Sequence, residues 1–243
     1  MNERNLTLLT DFYEITMGNG YFINGLKDKI VYFDMFFREI PDEGGFVIMA
    51  GLEQLIDYLS NLHFTDEDIE YLRSTKAFDE KFLTYLANFK LHCNIWAIEE
   101  GMPIFPQEPI VTVEGPAIEC QLLETLLLVT FNHQCLIATK ANRIVRSAAG
   151  RPVMEFGARR AQGYDAAYFG ARASYIGGVF FRRFVQKLPT VLCPAPACRG
   201  RRRHGGGARW PRPQRRLLLS PSRRSAAVPT RWTDVPGRAP RPI

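Results

Sequence analysis

The chain has 243 residues, 46% of them hydrophobic and 12% aromatic, enough for one large domain or two smaller ones. No run approaches the roughly eighteen uninterrupted apolar residues of a membrane span, and the first residues lack the basic and apolar regions of a signal peptide. We therefore expect a soluble, cytoplasmic protein without a membrane partner. Its five cysteines show no disulfide or metal-ligand spacing, and we expect them to be reduced.

The net charge of +6 is an average over two dissimilar parts. Residues 180–243, the basic tail, contain fifteen Arg, one Lys and one acidic residue, a net charge of +15, while the rest of the chain carries −9. Arg, Pro, Gly, Ala, Ser and Leu dominate the basic tail, and such a composition buries too little apolar surface to order itself. We expect an N-terminal α/β domain over 1–150, a barrel segment over 151–179 and a disordered tail.

The first third of the chain is typical of helices around one strand. Apolar residues at helical spacing over 12–17 predict a helix with Thr10 as its N-cap. β-branched and aromatic residues over 30–40 predict a strand that ends in a turn. Residues 52–59 have the i, i+3, i+4, i+7 pattern of an amphipathic helix, and the Thr and Asp of 65–68 form a capping-box pattern that begins another.

Next, the pattern changes twice. Short apolar pairs separated by Gly and Pro over 94–116 predict a small antiparallel β unit with Gly101 and Gly115 at turns. From residue 119 the helical period returns and predicts a long, mostly buried helix or a close helix pair that ends at Gly150. His133 within this segment is interpreted as a core histidine with satisfied hydrogen bonds.

The stretch PVMEFGARRAQGYDAA, residues 152–167, runs from a short apolar strand into a loop with two adjacent arginines. In α/β proteins, ligands gather at the carboxyl ends of parallel strands, where basic side chains and helix N-termini meet anionic groups. Arg159 and Arg160 therefore sit where a phosphate or carboxylate would be held, although two solvated surface arginines remain an alternative. The small residues that follow predict a helix packed closely on a sheet. Strand, charged loop and helix together predict the start of a β/α barrel.

Four blocks in this order and spacing resemble bacterial nicotinate phosphoribosyltransferases: TDFYEITM, FFREIP with GGFVIMAGLEQLIDYL, EEGMPIFPQEPIVTVEGPAIECQLLET, and EFGARRAQGYDAAYFGARASYIGG. The resemblance covers residues 5–179. It implies an N-terminal α/β domain followed by an irregular β/α barrel of the type II phosphoribosyltransferase kind, in a homodimer with composite active sites. It also implies NAD salvage: nicotinate and phosphoribosyl diphosphate give nicotinate mononucleotide and diphosphate, coupled to ATP hydrolysis, with Mg²⁺ as an expected companion of the phosphates.

The resemblance also implies roles for individual residues. Phe156 would stack on one face of the pyridine ring, and Tyr13 would cover the other face from the second subunit. Arg159 would lie near the product phosphate, where a guanidinium group favours bidentate contacts. Further substrate-binding candidates of the resemblance are Asp11, Gly157, Arg160 and Asp165.

After Val179 the resemblance stops. The family continues to a Gly-Thr pair and a histidine motif of the type GT.AHS, whose histidine is phosphorylated by ATP. The histidine of the basic tail, His204, lacks the preceding Gly-Thr and the following Ser, so we carry no catalytic role onto it. The arginine that binds the nicotinate carboxylate in the family and the loops that bind diphosphate are also absent from this sequence. We therefore expect a truncated, inactive family member without catalytic residues of its own.

Two explanations of the basic tail stay open. Codons made of G and C encode Pro, Arg, Gly and Ala, so out-of-frame translation of GC-rich DNA explains the abrupt change of composition. Alternatively, the tail is an Arg-rich arm that binds nucleic acid nonspecifically through its phosphates, on a transferase-derived scaffold. A related nicotinamide or quinolinate phosphoribosyltransferase also stays open for the rest of the chain.

Overall fold

The computed structural model describes residues 5–182 and 216–219. The helices of these residues are α1 (Phe12–Ile23), α2 (Leu52–Asn61), α3 (Asp66–Ser74), α4 (Glu80–Ala87), α5 (Ala117–Gln121), α6 (Glu124–Ser147) and α7 (Tyr164–Ile176). The strands are β1 (Ile30–Met35), β2 (Val47–Ile48), β3 (Asn94–Ile98), β4 (Pro103–Ile104), β5 (Val111–Pro116), β6 (Met154–Glu155), β7 (Phe181–Arg182) and β8 (Arg216–Leu219). The expected mixed α/β class is confirmed.

An antiparallel sheet with the strand order β1-β5-β3-β8 forms the centre of the N-terminal part. Strand β5 lies between β1 and β3. Apolar and polar residues alternate along it, so that Val111 and Val113 face the core. Helices α2 and α6 cover this face through Leu55 and Phe131, which are both fully buried. The predicted antiparallel unit over 94–116 is therefore present.

A second core joins α1, α3 and α4. Ile15, Leu72 and Phe82 meet there with Ile118 of α5, and the rings of Phe22 and Phe78 pack in tilted arrangements against Phe82. The predicted capping box is confirmed, because Thr65 accepts from the Asp68 N–H and the Asp68 carboxylate accepts from the Thr65 N–H.

The predicted helix pair from residue 119 is α5 followed by α6. The segment Ala117–Ser147 is long and apolar enough to cross a membrane by length and composition, but half of its most apolar window is buried inside the fold. Leu126 and Phe131 point into the core under the sheet, and Ala138 lies in a third, smaller cluster with Ile48, Ala50 and Ala173. The helix is thus packed as a core helix.

Helix α7 connects the parallel strands β6 and β7, so that β6, α7 and β7 form a βαβ unit. The small residues of α7 were predicted to pack on a sheet; they pack mainly on helix α6, and Ala173 also shares a cluster with Ile48 of β2. A Cβ at Gly177 would lie 2.4 Å from the Ala138 carbonyl oxygen, and Ala173 shares a core cluster with Ala138. This close approach fixes the βαβ unit against the N-terminal part.

Some sequence predictions differ from the structure in detail. The N-cap of α1 is Asp11 and not Thr10, whose hydroxyl donates to Glu14. Gly115 lies inside β5, where it leaves room for Cys93, and not at a turn. The expected disorder of the basic tail concerns residues outside the described part of the chain, apart from 180–182 and β8, whose four residues pair with β3.

Candidate functional site

The arginine loop lies where a ligand loop of an α/β protein is expected. Strand β6 ends at Glu155, a 3₁₀ turn follows over Gly157–Arg160, and Gly163, with a φ of 92°, begins helix α7. The left-handed φ suits glycine, which has no Cβ to clash with the backbone. Arg159 and Arg160 are both exposed and have no hydrogen-bond or ion-pair partner among the described residues.

A pocket of about 360 Å³ lies between this loop and the facing sides of α6 and α7. Its lining comprises His133, Ile137, Glu155, Gly157, Ala158, Arg160, Ala161, Gln162, Ala166, Ala167, Gly170, Ala171 and Ser174. Two of the predicted site residues, Gly157 and Arg160, are therefore part of the lining. Phe156, Arg159 and Asp165 lie in the same segment but do not line the pocket.

His133 lies in the wall of this pocket that α6 provides. Its Nε2 atom is buried and has no hydrogen-bond partner among the described residues. The interpretation of His133 as a satisfied core histidine is therefore wrong. The sequence carries no signal for this environment, since the loop and α7 that enclose the imidazole come about thirty residues later in the chain.

The residues around the start of the arginine loop differ in exposure and in hydrogen bonding. Phe156 is 47% exposed, immediately before the 3₁₀ turn. The Gly157 N–H donates to the Glu155 carboxylate, and a Cβ at Gly157 would lie 2.8 Å from Glu155 Oε1. Asp165 lies in the first turn of α7, where a carboxylate is favoured by the helix dipole. Glycine at position 157 thus lets the loop turn tightly after β6.

Asp11 and Tyr13 lie at a different place, where the start of α1 meets the start of α6. The Asp11 N–H donates to Thr125 Oγ1 over 3.3 Å. A hydrogen bond to the Glu124 carboxylate raises the pKa of Tyr13 to about 12, and the tyrosine side chain is 45% exposed. Within the described chain, no residue of α1 lines the pocket, so the assignment of Tyr13 to the site of a second subunit stays a prediction.

Glu14 braces this junction and was not singled out from the sequence. Its carboxylate is fully buried and accepts hydrogen bonds from the Thr10 hydroxyl and from both the N–H and the hydroxyl of Thr125. Burial raises the pKa of Glu14 above its usual value, and the hydrogen bonds oppose this shift. The sequence could have indicated this burial, because the helical period of α1 places Glu14 on the same buried face as Ile15 and Gly18.

A buried arginine joins the N-terminal part to the βαβ unit and was also missed. Arg172 of α7 is 2% exposed, and its Nη1 and Nη2 donate to the two oxygens of Glu100 over 2.8 and 2.6 Å. Its Nε donates to Glu53 over 2.9 Å. Glu100 Oε1 also accepts from the N–H groups of Gly51 and Leu52 at the start of α2, over 2.6 and 2.9 Å. The guanidinium and the two backbone N–H groups stabilise both carboxylates inside the fold, which indicates a structural role.

Among the described residues, no group of three or more His, Cys, Asp and Glu side chains is placed to hold a metal ion. The three described cysteines are free and buried. Cys193 and Cys198 fall outside the described range. The exposed cationic side chains of the site are those of Arg159 and Arg160.

The fold is shared with two solved structures. The chain aligns with human nicotinic acid phosphoribosyltransferase at 34% identity and a TM-score of 0.68, over 73% of this chain and 36% of that one. Nicotinate-nucleotide pyrophosphorylase from Pyrococcus furiosus has the same fold at 23% identity and a TM-score of 0.60, over 76% of this chain and 40% of that one.

Residues 8–132 match the N-terminal domain of nicotinate phosphoribosyltransferase, and the chain belongs to this family. It is similar to the nicotinate phosphoribosyltransferase of Bacillus subtilis, at 44% identity over 173 residues, which are 71% of this chain and 35% of the relative. A nicotinate phosphoribosyltransferase of Mycobacterium tuberculosis is 42% identical over 171 residues, 70% of this chain and 37% of the relative. The chain thus spans about a third of the length of these curated relatives.

Proposed function

We propose that this chain provides the N-terminal part of a nicotinate phosphoribosyltransferase site. In this reaction nicotinate and phosphoribosyl diphosphate give nicotinate mononucleotide and diphosphate, coupled to ATP hydrolysis. The observation that carries the proposal is the position of the sequence EFGARR in a chain of this family. The segment places an exposed aromatic ring and two unpaired arginines directly after the parallel strand β6.

The chemistry of phosphoribosyl transfer requires these groups. Diphosphate leaves the anomeric carbon through an oxocarbenium-like centre, so the protein has to hold anionic groups and align a flat aromatic nucleophile with the sugar. Arg159 and Arg160 have no competing partner among the described residues and are free to pair with phosphate oxygens. Phe156 offers a ring face beside them for the pyridine. Asp165 and Gly157 support the same loop.

The rest of the proposed site comes from a homodimer. Tyr13 and Asp11 are exposed at the start of α1 and would cover the pyridine of a second subunit. The hydrogen bond to Glu124 fixes the direction of the Tyr13 ring before a ligand binds. The described residues offer no cluster for a resident metal ion, so Mg²⁺ would bind together with the diphosphate oxygens, which are the ligands it prefers.

The relatives at 34–44% identity favour nicotinate over nicotinamide or quinolinate as the substrate, because they are nicotinate enzymes by name. Cytoplasmic localisation follows from this role in NAD salvage. The chain by itself is expected to turn over far more slowly than an intact family member, because each missing electrostatic contact costs about a hundredfold or more in rate.

The proposal is tested by ligand titration of the full chain with nicotinate, nicotinamide and quinolinate, followed by the NMR signals of the pyridine protons. We expect saturable binding of nicotinate that Phe156→Leu weakens at least about tenfold, since the ring face is lost. Phe105→Leu is the matched control, because Phe105 is 52% exposed but lies outside the loop. Absent nicotinate binding, or equal affinity in both variants, would contradict the proposal. Nicotinate-dependent diphosphate release at ordinary enzymatic rates would contradict the expected inactivity.

The charge of the basic tail favours a second candidate function, nonspecific binding of nucleic acid. The tail carries a net charge of +15 and lies almost entirely outside the described residues. Binding through phosphates releases counterions, so the affinity for a random-sequence duplex should fall by orders of magnitude between about 50 and about 200 mM salt. A duplex affinity that does not change with salt, measured by fluorescence anisotropy, would exclude this function.

A further inference from the structure

We propose that Cys93 and Cys120 form a redox modification site, in which a peroxide oxidises the two thiols to an intramolecular disulfide. Both thiols are free in the structure, which is the reduced form. The proposal goes beyond the proposed function and does not depend on it, because neither cysteine lies in the arginine loop or lines the pocket.

The first argument is the distance between the two sulfur atoms. Cys93 directly precedes β3 and Cys120 lies in α5, and their Sγ atoms are 3.8 Å apart. A covalent bond needs an approach of about 1.8 Å, which is small for two side chains that can each rotate about χ1. Gly115 of β5 leaves the space for Cys93 Sγ, because a Cβ there would lie 2.4 Å from it.

The second argument is a proton acceptor beside the thiols. Attack on a peroxide requires a thiolate, and the hydrogen bond with Cys120 together with burial raises the pKa of Cys93 above its ordinary value. Glu119 Oε2 lies 3.7 Å from Cys93 Sγ, within reach of its S–H. Glu119 Oε1 lies 2.9 Å from His92 Nδ1, and the His92 side chain is 66% exposed. Glu119 can therefore take the thiol proton, and His92 connects it to the solvent.

The third argument is the position of Cys93 at the end of an irregular segment. Residues 89–93, between α4 and β3, form neither helix nor strand, and Lys90 and His92 are exposed. Such segments open locally at a lower free energy than the whole fold. Both thiols are buried in the closed state, so a molecule as small as hydrogen peroxide reaches Cys93 during such an opening.

The chemistry balances with one molecule of hydrogen peroxide. The Cys93 thiolate attacks one peroxide oxygen, the O–O bond breaks, and the leaving hydroxide is neutralised by the proton that Cys93 released. The Cys120 sulfur then attacks the sulfur of the Cys93 sulfenic acid, the S–O bond breaks, and the leaving hydroxide takes the Cys120 proton. Each sulfur loses one electron, the S–S bond forms, and the peroxide is reduced to two molecules of water.

The disulfide would connect α5 to the start of β3 and close a loop over residues 93–120. Closing a loop restricts the unfolded chain, so the oxidised protein should be harder to unfold. We therefore expect the urea concentration at the midpoint of unfolding to rise on oxidation and to return to its first value after reduction.

The experiment exposes the folded full chain to hydrogen peroxide, blocks the remaining thiols by alkylation in denaturant, and maps the unreduced peptides by mass spectrometry. We expect a pair of peptides that is linked through Cys93 and Cys120, is lighter than the separate peptides by two hydrogen atoms, and is released by dithiothreitol. Mapping also distinguishes this link from any that involves Cys193 and Cys198 of the basic tail.

Two pairs of variants test the proposed roles. Cys120→Ser should abolish the link and the rise of the urea midpoint. Cys135→Ser should keep both, because Cys135 is equally buried but its sulfur bonds to the Ala50 backbone. Glu119→Gln should slow formation of the link at least about tenfold, because the proton acceptor is lost, while Glu67→Gln, at an exposed glutamate of α3, should not.

The proposal is overturned by a folded chain that gives no linked peptides at a peroxide concentration that oxidises the urea-unfolded chain. A link that forms only in urea, or a Cys93 sulfinic acid without a link, overturns it as well. An unchanged rate in Glu119→Gln would overturn the role of Glu119. The mapping of the unaltered chain decides on the disulfide even where Glu119→Gln fails to fold. Nicotinate takes part in none of these measurements, so the two proposals can fail separately.

Discussion

Thr125 holds Glu14 in the junction between α6 and α1, since its N–H and its hydroxyl both donate to Glu14 Oε1, over 3.1 and 2.5 Å. The same hydroxyl accepts from the Asp11 N–H. One side chain therefore connects a buried carboxylate and the backbone that carries Tyr13. The position of the predicted pyridine-covering residues depends on this junction.

Thr125→Val should destabilise the fold by about 1–3 kcal/mol, because it removes the hydroxyl and leaves a buried carboxylate with fewer donors. The free energy of unfolding in urea measures the effect. Thr84→Val is the control, since the Thr84 hydroxyl is exposed and donates to a carbonyl of its own helix, and it should change stability by no more than about 0.5 kcal/mol. Equal losses in the two variants would show that Thr125 does not brace the junction.

Glu124→Gln should lower the pKa of Tyr13 from about 12 towards the ordinary value of about 10, because the negative charge beside the phenol is removed. The neutral phenol is favoured in the folded state, so its contribution to stability is present below about pH 10 and is lost as the pH rises through about 12. Residue-resolved NMR titration measures the pKa, with Tyr13→Phe assigning the signal. Glu114→Gln, next to Tyr32, should leave Tyr13 unchanged; a Tyr13 pKa that stays near 12 in Glu124→Gln would refute the assignment.

Arg172→Met should cost about 3–5 kcal/mol, because Glu100 and Glu53 keep their charges and lose a buried partner. Adding Glu100→Gln to this variant should recover part of the loss, as a double-mutant cycle measures. Arg73→Ala is the matched control, since Arg73 pairs with two glutamates at the surface, and its effect should be much smaller. Additive single-variant losses would show that Arg172 and Glu100 do not act as a pair.

Gly115→Ala should destabilise the sheet by about 1–3 kcal/mol through overpacking. The new Cβ would lie 2.4 Å from Cys93 Sγ and 3.0 Å from Cys93 Cα. Cys93→Ala in the same chain should relieve part of the clash by removing the sulfur. Gly20→Ala, whose Cβ would meet no atom within 4 Å, should stabilise α1 by up to about 1 kcal/mol. A Gly115→Ala variant as stable as the parent would show that β3 and β5 separate easily.

The DNA that encodes residues 170–200 should contain the motif GT.AHS in another reading frame. This follows from the abrupt change after Val179, where Arg, Pro, Gly and Ala begin to dominate. Sequencing of this region, read in three frames, decides between the two explanations of the basic tail. An intact frame without the motif in any other frame would support a genuine Arg-rich tail.

Local patterns allowed much of the fold to be predicted from the sequence. The capping box at Thr65, the alternation in β5 and the strand before the arginine loop each depend on residues within one element. The resemblance in the segment around Phe156 then placed the candidate site after β6. These features are set by neighbouring residues, which is why a single sequence contains them.

The missed features depend on residues far apart in the chain. Arg172 pairs with Glu100 and Glu53, which precede it by 72 and 119 positions in the chain. No pattern around Arg172 predicts those partners. His133 lines the pocket because α7 packs on α6, about thirty residues later in the chain. Glu14 faces Thr125, 111 positions later. Such environments arise from tertiary packing and are invisible to local periodicity.

The charged residues of the cluster around Arg172 are synthesised in a fixed order. Glu53 and Glu100 leave the ribosome well before Arg172, so the N-terminal part folds first with two carboxylates that lack their cation. The N–H groups of Gly51 and Leu52 can hold Glu100 during that interval. Arrival of α7 then supplies the positive charge and closes the cluster. A nascent chain halted before residue 172 should therefore keep the Glu53 and Glu100 carboxylates without this partner, whereas a chain released after α7 should not.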